Sequence, residues 1–279
     1  MSDHFAAFSF VDRITEFVPG VRAKAHFAVP SGIASFPSCL VAEAVGQLAA
    51  WTAMAHIGFR GRPVAALATE TRFHRDVRPG QTLDLAVEID GCDDEAVAYR
   101  GSAHADGVLL IELIDCLGPM LPVEDFDAPA ALQERLALLC GAGAAPGRFH
   151  GVVTPRIDAG TLDPGKSATA TLHVPAAAPF FADHFPRRPV FPATLLLDAQ
   201  IGLAMRLARS ADAFAATGAH PTRMTNVKVR AFMAPGDVLD LATELTPIDA
   251  RSARIALTAR ANGRLAATAR LEVAAGVSP

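Results

Sequence analysis

Apolar and polar positions alternate with a period of two through much of the C-terminal part of the chain. Leu239, Leu241, Thr243 and Leu245 share one face of a first stretch. Ala253, Ile255, Leu257 and Ala259 share a face of the next, and Leu265, Ala267, Ala269 and Leu271 of a third. That period predicts strands with one buried face. Two longer stretches break it. Residues 39–58 and 189–208 are apolar nearly all round, the first interrupted by Glu43, Gln47 and His56, the second by Asp198, Gln200 and Arg206. Both approach the length of a membrane span. Their internal polar residues, and the strand-like alternation that follows them in place of basic flanks, predict instead two core helices, each wrapped by a sheet. Pro-Gly pairs at 79–80 and 235–236 mark turns that open strands.

The pattern repeats. VRPGQTLDLAVEID (77–90) and MAPGDVLDLATELT (233–246) align without a gap, and FPSCLVAEA (36–44) aligns with FPATLLLDA (191–199). Upstream, VPGVRAKAHFAVP (18–30) follows the pattern of DPGKSATATLHVP (163–175). The chain therefore reads as two copies of one unit, residues 1–122 and 150–279. Residues 123–149 between them, with a short helix from Ala131 to Leu139 and a GAGAAPG run, have the composition of a linker.

The strongest chemical signal is FFADHFPRRPVFPATLLLD (180–198). It sets His184 in a loop stiffened by Pro186, Pro189 and Pro192, since each proline fixes its own φ and restricts the residue before it. The helix that follows carries Asp198, an acid that is costly in an apolar helix unless partnered or used. The segment resembles the signature of bacterial 3-hydroxyacyl-acyl-carrier-protein dehydratases, in which a HFPxxPVMPG loop runs into a helix bearing Glu or Asp fourteen residues after the histidine. The spacing from His184 to Asp198 is the same, and the departure is Ala193, where the family usually has Gly. The resemblance implies an α+β double hotdog: two tandem units, each with a long central helix wrapped by an antiparallel sheet.

The copies are not equivalent. Pro30 aligns with Pro175, but Pro37 aligns with Pro192, so the first copy is shorter in the loop before its helix, and SGIASFP stands where the histidine loop would be. Conversely, Glu43 aligns with Asp198, and Gln47 lies one helical turn beyond Glu43 on the same face, whereas Gly202 occupies the matching place after Asp198. EAVGQ is similar to the family's EAMAQ. In that family the histidine and the acid come from different subunits. Carried over, His184 of one half meets Glu43 of the other in an internal pseudo-dimer with one composite site. The competing assignment makes Asp198 the working acid and Glu43 a partnered core residue.

The resemblance implies elimination of water from a 3-hydroxyacyl thioester, with His184 as base and a carboxyl as acid. A histidine near neutrality suits proton abstraction, and burial keeps a carboxyl protonated. Backbone amides at Ala193 and Thr194 open the helix and are placed to polarise the thioester carbonyl. Gln47, Phe185, Pro192, Ala193 and Thr194 are the expected substrate contacts. The substrate arrives on the phosphopantetheine of an acyl carrier protein. Arg187 and Arg188 beside the loop are the candidates for docking that acidic partner. No metal or other cofactor is called for.

Bulk properties narrow the picture. With 279 residues, 51% hydrophobic and 19% charged, the chain is long enough for one large core or two modest ones. A net charge of −4 gives no reason to expect nucleic acid as a partner. Cys39, Cys92, Cys116 and Cys140 are scattered, with neither metal-ligand spacing nor a disulfide framework, as in a cytoplasmic protein. The N-terminus lacks the basic start and apolar run of a secretion signal. The other histidines, among them His74 and His173 on strand-like segments, read as structural. Two alternatives stay open: a hotdog thioesterase or isomerase, and a non-catalytic carrier-binding scaffold. A further homodimer is also left open.

Overall fold

The computed structural model describes residues 5–64, 67–215 and 217–276. In chain order, strands β1 (Arg13–Val18) and β2 (Arg22–Ala28) lead into helix α1 (Ser38–His56). Then come β3 (Gly61–Pro63), β4 (Leu67–Phe73), β5 (Thr82–Cys92), β6 (Ala96–Ala105) and β7 (Val108–Pro122). A 3-10 turn at 123–125 and helix α2 (Pro129–Cys140) precede β8 (Arg156–Asp163) and β9 (Ser167–His173). A second 3-10 turn at 179–182 leads to α3 (Ala193–Arg209), and a four-residue helix at 212–215 follows it. The chain closes with β10 (Ala219–Val229), β11 (Val238–Pro247), β12 (Ser252–Ala261) and β13 (Arg264–Ala275).

Two compact units emerge. The first comprises residues 1–66, 74–153 and 178–190; the second comprises 67–73, 154–177 and 191–279. In the first unit the antiparallel strands run β1-β2-β5-β6-β7, with β3 also paired to β7, and α1 packs on β5, β6 and β2. In the second they run β4-β10-β13-β12-β11-β9-β8, with α3 packed on β11, β9 and β10. Each is one long helix against a curled antiparallel sheet, the expected α+β hotdog arrangement. The repeat survives in the register. Leu83 and Leu85 of β5 pair with Phe27 and Ala25 of β2, as Leu239 and Leu241 of β11 pair with Leu172 and Ala170 of β9.

Burial explains the sequence pattern. Leu40, Val41, Ala44, Val45, Leu48 and Ala49 of α1 are all buried, so the helix has no broad polar face. Gly101 on β6 lets it come close: a Cβ there would lie 2.6 Å from Val45 Cγ1 and 2.7 Å from the Ala86 carbonyl oxygen. The inward sets on β11, β12 and β13 are buried as the period of two requires, except at two ends. Leu245 is only half-buried near the end of β11. Leu265 is half-buried too, because the β12–β13 register shifts at Ala259/Arg260 and carries Ala266 inward beside Ala267. Such a bulge puts two residues opposite one and inverts the alternation beyond it.

The stretch expected to be a linker is more deeply packed than its composition suggests. Phe126, Leu132, Leu139 and Phe149 are buried in the first unit, and Phe149 meets Phe10 and Phe36 edge-on at 5.1 and 5.8 Å. His74 and His173 pair with Glu112 at 2.9 Å and Asp158 at 2.8 Å. The four cysteines are free thiols. Among the described residues, no helix is long and apolar enough to cross a membrane, and no group of three or more His, Cys, Asp or Glu is placed to hold a metal ion.

Candidate active site

The histidine loop belongs to the first unit, the one that contains α1. It is a chain of tight turns. The amides of Asp183 and His184 both donate to the Phe180 carbonyl, and that of Arg188 donates to Phe185. Phe185 has φ +64°, a left-handed conformation that is strained for a bulky residue. Its ring packs against Phe126 at a centroid distance of 4.8 Å and under the Arg62 guanidinium at 4.9 Å.

His184 is half-buried, and its Nδ1 lies 2.9 Å from the Val190 carbonyl oxygen. A carbonyl can only accept, so Nδ1 carries the proton and Nε2 presents a lone pair. Burial pushes the imidazole down to about 4; the Val190 carbonyl opposes this and the Arg62 charge adds to it. The ring is therefore neutral at physiological pH, the state a general base needs.

From α1, Gln47 donates to Glu43 Oε1 at 3.1 Å and to the Phe8 carbonyl at 2.9 Å, and accepts from the Phe10 amide at 2.8 Å. Both N–H donors of that amide are thus spent on protein groups. The opening segment they hold reaches the histidine loop, because the Phe8 ring meets the His184 ring edge-on at 5.5 Å. Asp183 grips the same segment. Its buried carboxylate accepts from the amides of Phe5 and Phe8, the latter at 2.7 Å, and from Ser9 Oγ at 3.3 Å.

Arg62 on β3 completes the assembly. It pairs with the buried Asp127 at 2.5 Å and lies in the fields of Glu43 and Asp183. Burial draws its pKa down, while these carboxylates work to hold the charge.

This geometry meets a matching ancestry. The family model for ApeI-like dehydratases matches residues 161–269. The 3-hydroxyacyl-acyl-carrier-protein dehydratase FabZ of Levilactobacillus brevis is 30% identical over 126 residues, 45% of this chain and 84% of that protein. The chain belongs to the FabZ-like dehydratase family. Solved structures give the fold over a longer span. The tesB protein of Mycobacterium avium subsp. paratuberculosis covers 94% of this chain, which in turn covers 95% of it, at a TM-score of 0.59 and 15% identity. An acyl-ACP thioesterase from Bacteroides thetaiotaomicron covers 90% of this chain, which covers 97% of it, at 0.52 and 9%. At such identities these two likenesses speak to the hotdog architecture alone.

Within this FabZ-like chain the structure sorts the expected residues. His184, Glu43, Gln47, Phe185, Arg187 and Arg188 fall in the first unit. Phe185 is buried, and Gln47 is hydrogen-bonded to the backbone at Phe8 and Phe10. Arg187 and Arg188 are exposed. The Arg187 guanidinium donates to the Glu124 carbonyl at 3.0 Å, and that of Arg188 lies 5.7 Å from the Phe126 ring.

Asp198, Pro192, Ala193 and Thr194 fall in the second unit. Pro192 is the N-cap of α3, and its carbonyl accepts from the amides of Leu195 and Leu196. Ala193 and Thr194 open the first turn of α3. Asp198 is half-buried, and burial pushes its carboxyl up. Gly202, four residues on, is exposed, and a Cβ there would meet nothing within 4 Å.

Sequence reasoning missed Arg62, Asp127, Asp183 and Phe8. Asp183 could have been suspected, as a charged residue between Phe181 and Phe185 in the motif loop. Arg62 gave no signal: GFRGRP reads as a turn, and nothing in it points to a distant histidine.

Proposed function

We propose that the chain eliminates water from 3-hydroxyacyl thioesters carried on acyl carrier protein, giving trans-2-enoyl thioesters. His184 is the base and Glu43 the acid. The reading is carried by the imidazole's hydrogen bonding: Nδ1–H is committed to Val190, leaving Nε2 unprotonated in the unit that also presents Glu43. Nε2 takes a proton from C2, the C3–O bond breaks, and Glu43, which takes up its acid form when the bound acyl chain desolvates it, gives that proton to the departing oxygen, which leaves as water. The double bond forms between C2 and C3, and return of the imidazolium proton to the Glu43 carboxylate resets the pair. The exposed Arg187 and Arg188 suit an acidic carrier protein docking beside the loop.

Glu43 is preferred to Asp198 because Gln47 holds its carboxylate and links that face of α1 through Phe8 to the imidazole. The test is turnover of a 3-hydroxyacyl-ACP by the wild type, Glu43→Gln and Asp198→Asn side by side. Loss in Glu43→Gln alone is expected. Loss in Asp198→Asn alone would transfer the acid role to α3. An inactive wild type that still binds the carrier would turn the reading to a scaffold.

A further inference from the structure

We propose that Arg62 is a positioning residue for His184: its guanidinium, locked by Asp127 and laid on the Phe185 ring, clamps the histidine loop and keeps a fixed positive charge beside the imidazole. The inference rests on the reading of His184 as the base.

Three observations meet at this arginine. The first is the backbone of Phe185, one residue after the histidine, in the left-handed region at φ +64°. A bulky residue costs on the order of 1–3 kcal/mol there and persists only where its surroundings hold it. The second is what the ring packs on: Phe126 at 4.8 Å and the Arg62 guanidinium at 4.9 Å. The third is how Arg62 is itself fixed. Its ion pair with Asp127 is deep, with 17% of the arginine side chain and 2% of the aspartate accessible. Asp127 directly follows Phe126, so a single dipeptide anchors both partners of the Phe185 ring. The Arg187 amide also donates to the Phe126 carbonyl at 3.1 Å, closing the bracket around the loop.

The charge has its own consequence. The charge acting on the imidazole is Arg62 of β3; Glu43 of α1, Asp127 after the 3-10 turn and Asp183 of the loop act on Arg62, Arg135 of α2 acts on Asp183, and Arg187 and Arg188 lie exposed further along the same loop. A cation beside a neutral imidazole opposes its protonation, so the base stays available in mildly acidic conditions.

The experiment separates packing from charge in the full chain. Arg62→Lys keeps the charge but loses the planar fork and the stack. Arg62→Met with Asp127→Asn removes the charge without leaving a buried carboxylate unpaired. The readouts are steady-state kinetics on a 3-hydroxyacyl-ACP and an NMR titration of the His184 ring, assigned with His184→Gln. The double variant is expected to titrate at higher pH than the wild type and to lose kcat by about 100-fold with KM little changed, the effect of a misplaced group. Arg62→Lys is expected to titrate near the wild type and still lose kcat. An unchanged titration in the double variant overturns the proposal whatever the activity does. A wild type without turnover, but with the titration shifted by the double variant, overturns the dehydratase reading and leaves the clamp standing.

Discussion

Asp183 holds Phe8 by its backbone amide at 2.7 Å, tying the residue before the candidate base to the opening segment of the chain. Through that bond the Phe8 ring stays edge-on to His184. Asp183→Asn keeps the shape but offers one carbonyl oxygen and an NH2 group to donors that now meet two carboxylate oxygens. A loss of about 2 kcal/mol is expected from removing charge-assisted hydrogen bonds at a buried site. Denaturant unfolding measures it, and faster proteolysis before residue 10 should accompany it. Unchanged stability would mean that the segment is held without Asp183.

The pH profile of kcat/KM should have an acid limb far below the ordinary histidine value. Burial lowers His184 to about 4, so the neutral base persists as pH falls and is lost only near that value. Stability carries the same sign in another form. Between the unfolded value near 6.5 and the folded one, the unfolded chain binds the proton and the folded chain does not, so stability falls with falling pH in that window and is level above it. His184→Gln should remove that slope. A limb near 6.5 would show the imidazole to be better solvated than its surroundings imply.

Gly101→Ala should destabilise the first unit by about 1–3 kcal/mol through overpacking. The added Cβ would meet Val45 Cγ1 and the Ala86 carbonyl oxygen. Combining it with Val45→Ala relieves the first clash and not the second, so a double-mutant cycle should recover part of the loss. Full additivity would mean that α1 and β6 move apart freely.

Gln200 on α3 is fully buried, and neither polar atom of its amide has a hydrogen-bond partner among the described residues. An unpaired buried amide costs about 1–3 kcal/mol. Gln200→Leu should therefore leave the melting temperature unchanged or raise it. A clear drop would show that the amide is bound in solution.

The sequence made the two helices, the repeat and most strand faces legible, because an apolar run and a period of two are local signals. His184, Glu43 and Gln47 stand out as candidates for a similar reason: each sits in a short motif. What escaped depended on distant residues meeting. The bulge at Ala266 turned Leu265 from the face its spacing implied. Phe126 and Phe149 look like isolated apolar residues in a polar connection, yet both are core. Arg62 lies 122 positions before His184 in a turn-like hexapeptide, and only folding brings it onto the neighbouring phenylalanine.

The conformation of Phe185 changes what an intact motif is worth. HFPRRPVFP can be complete in a relative while its loop relaxes, because what keeps Phe185 at positive φ lies at Phe126 and Arg62, outside the motif. Drift at either position would disarm the histidine without altering one letter of the signature. Surveys that score such chains as active should therefore weigh an arginine and a phenylalanine that no alignment of the loop alone would inspect.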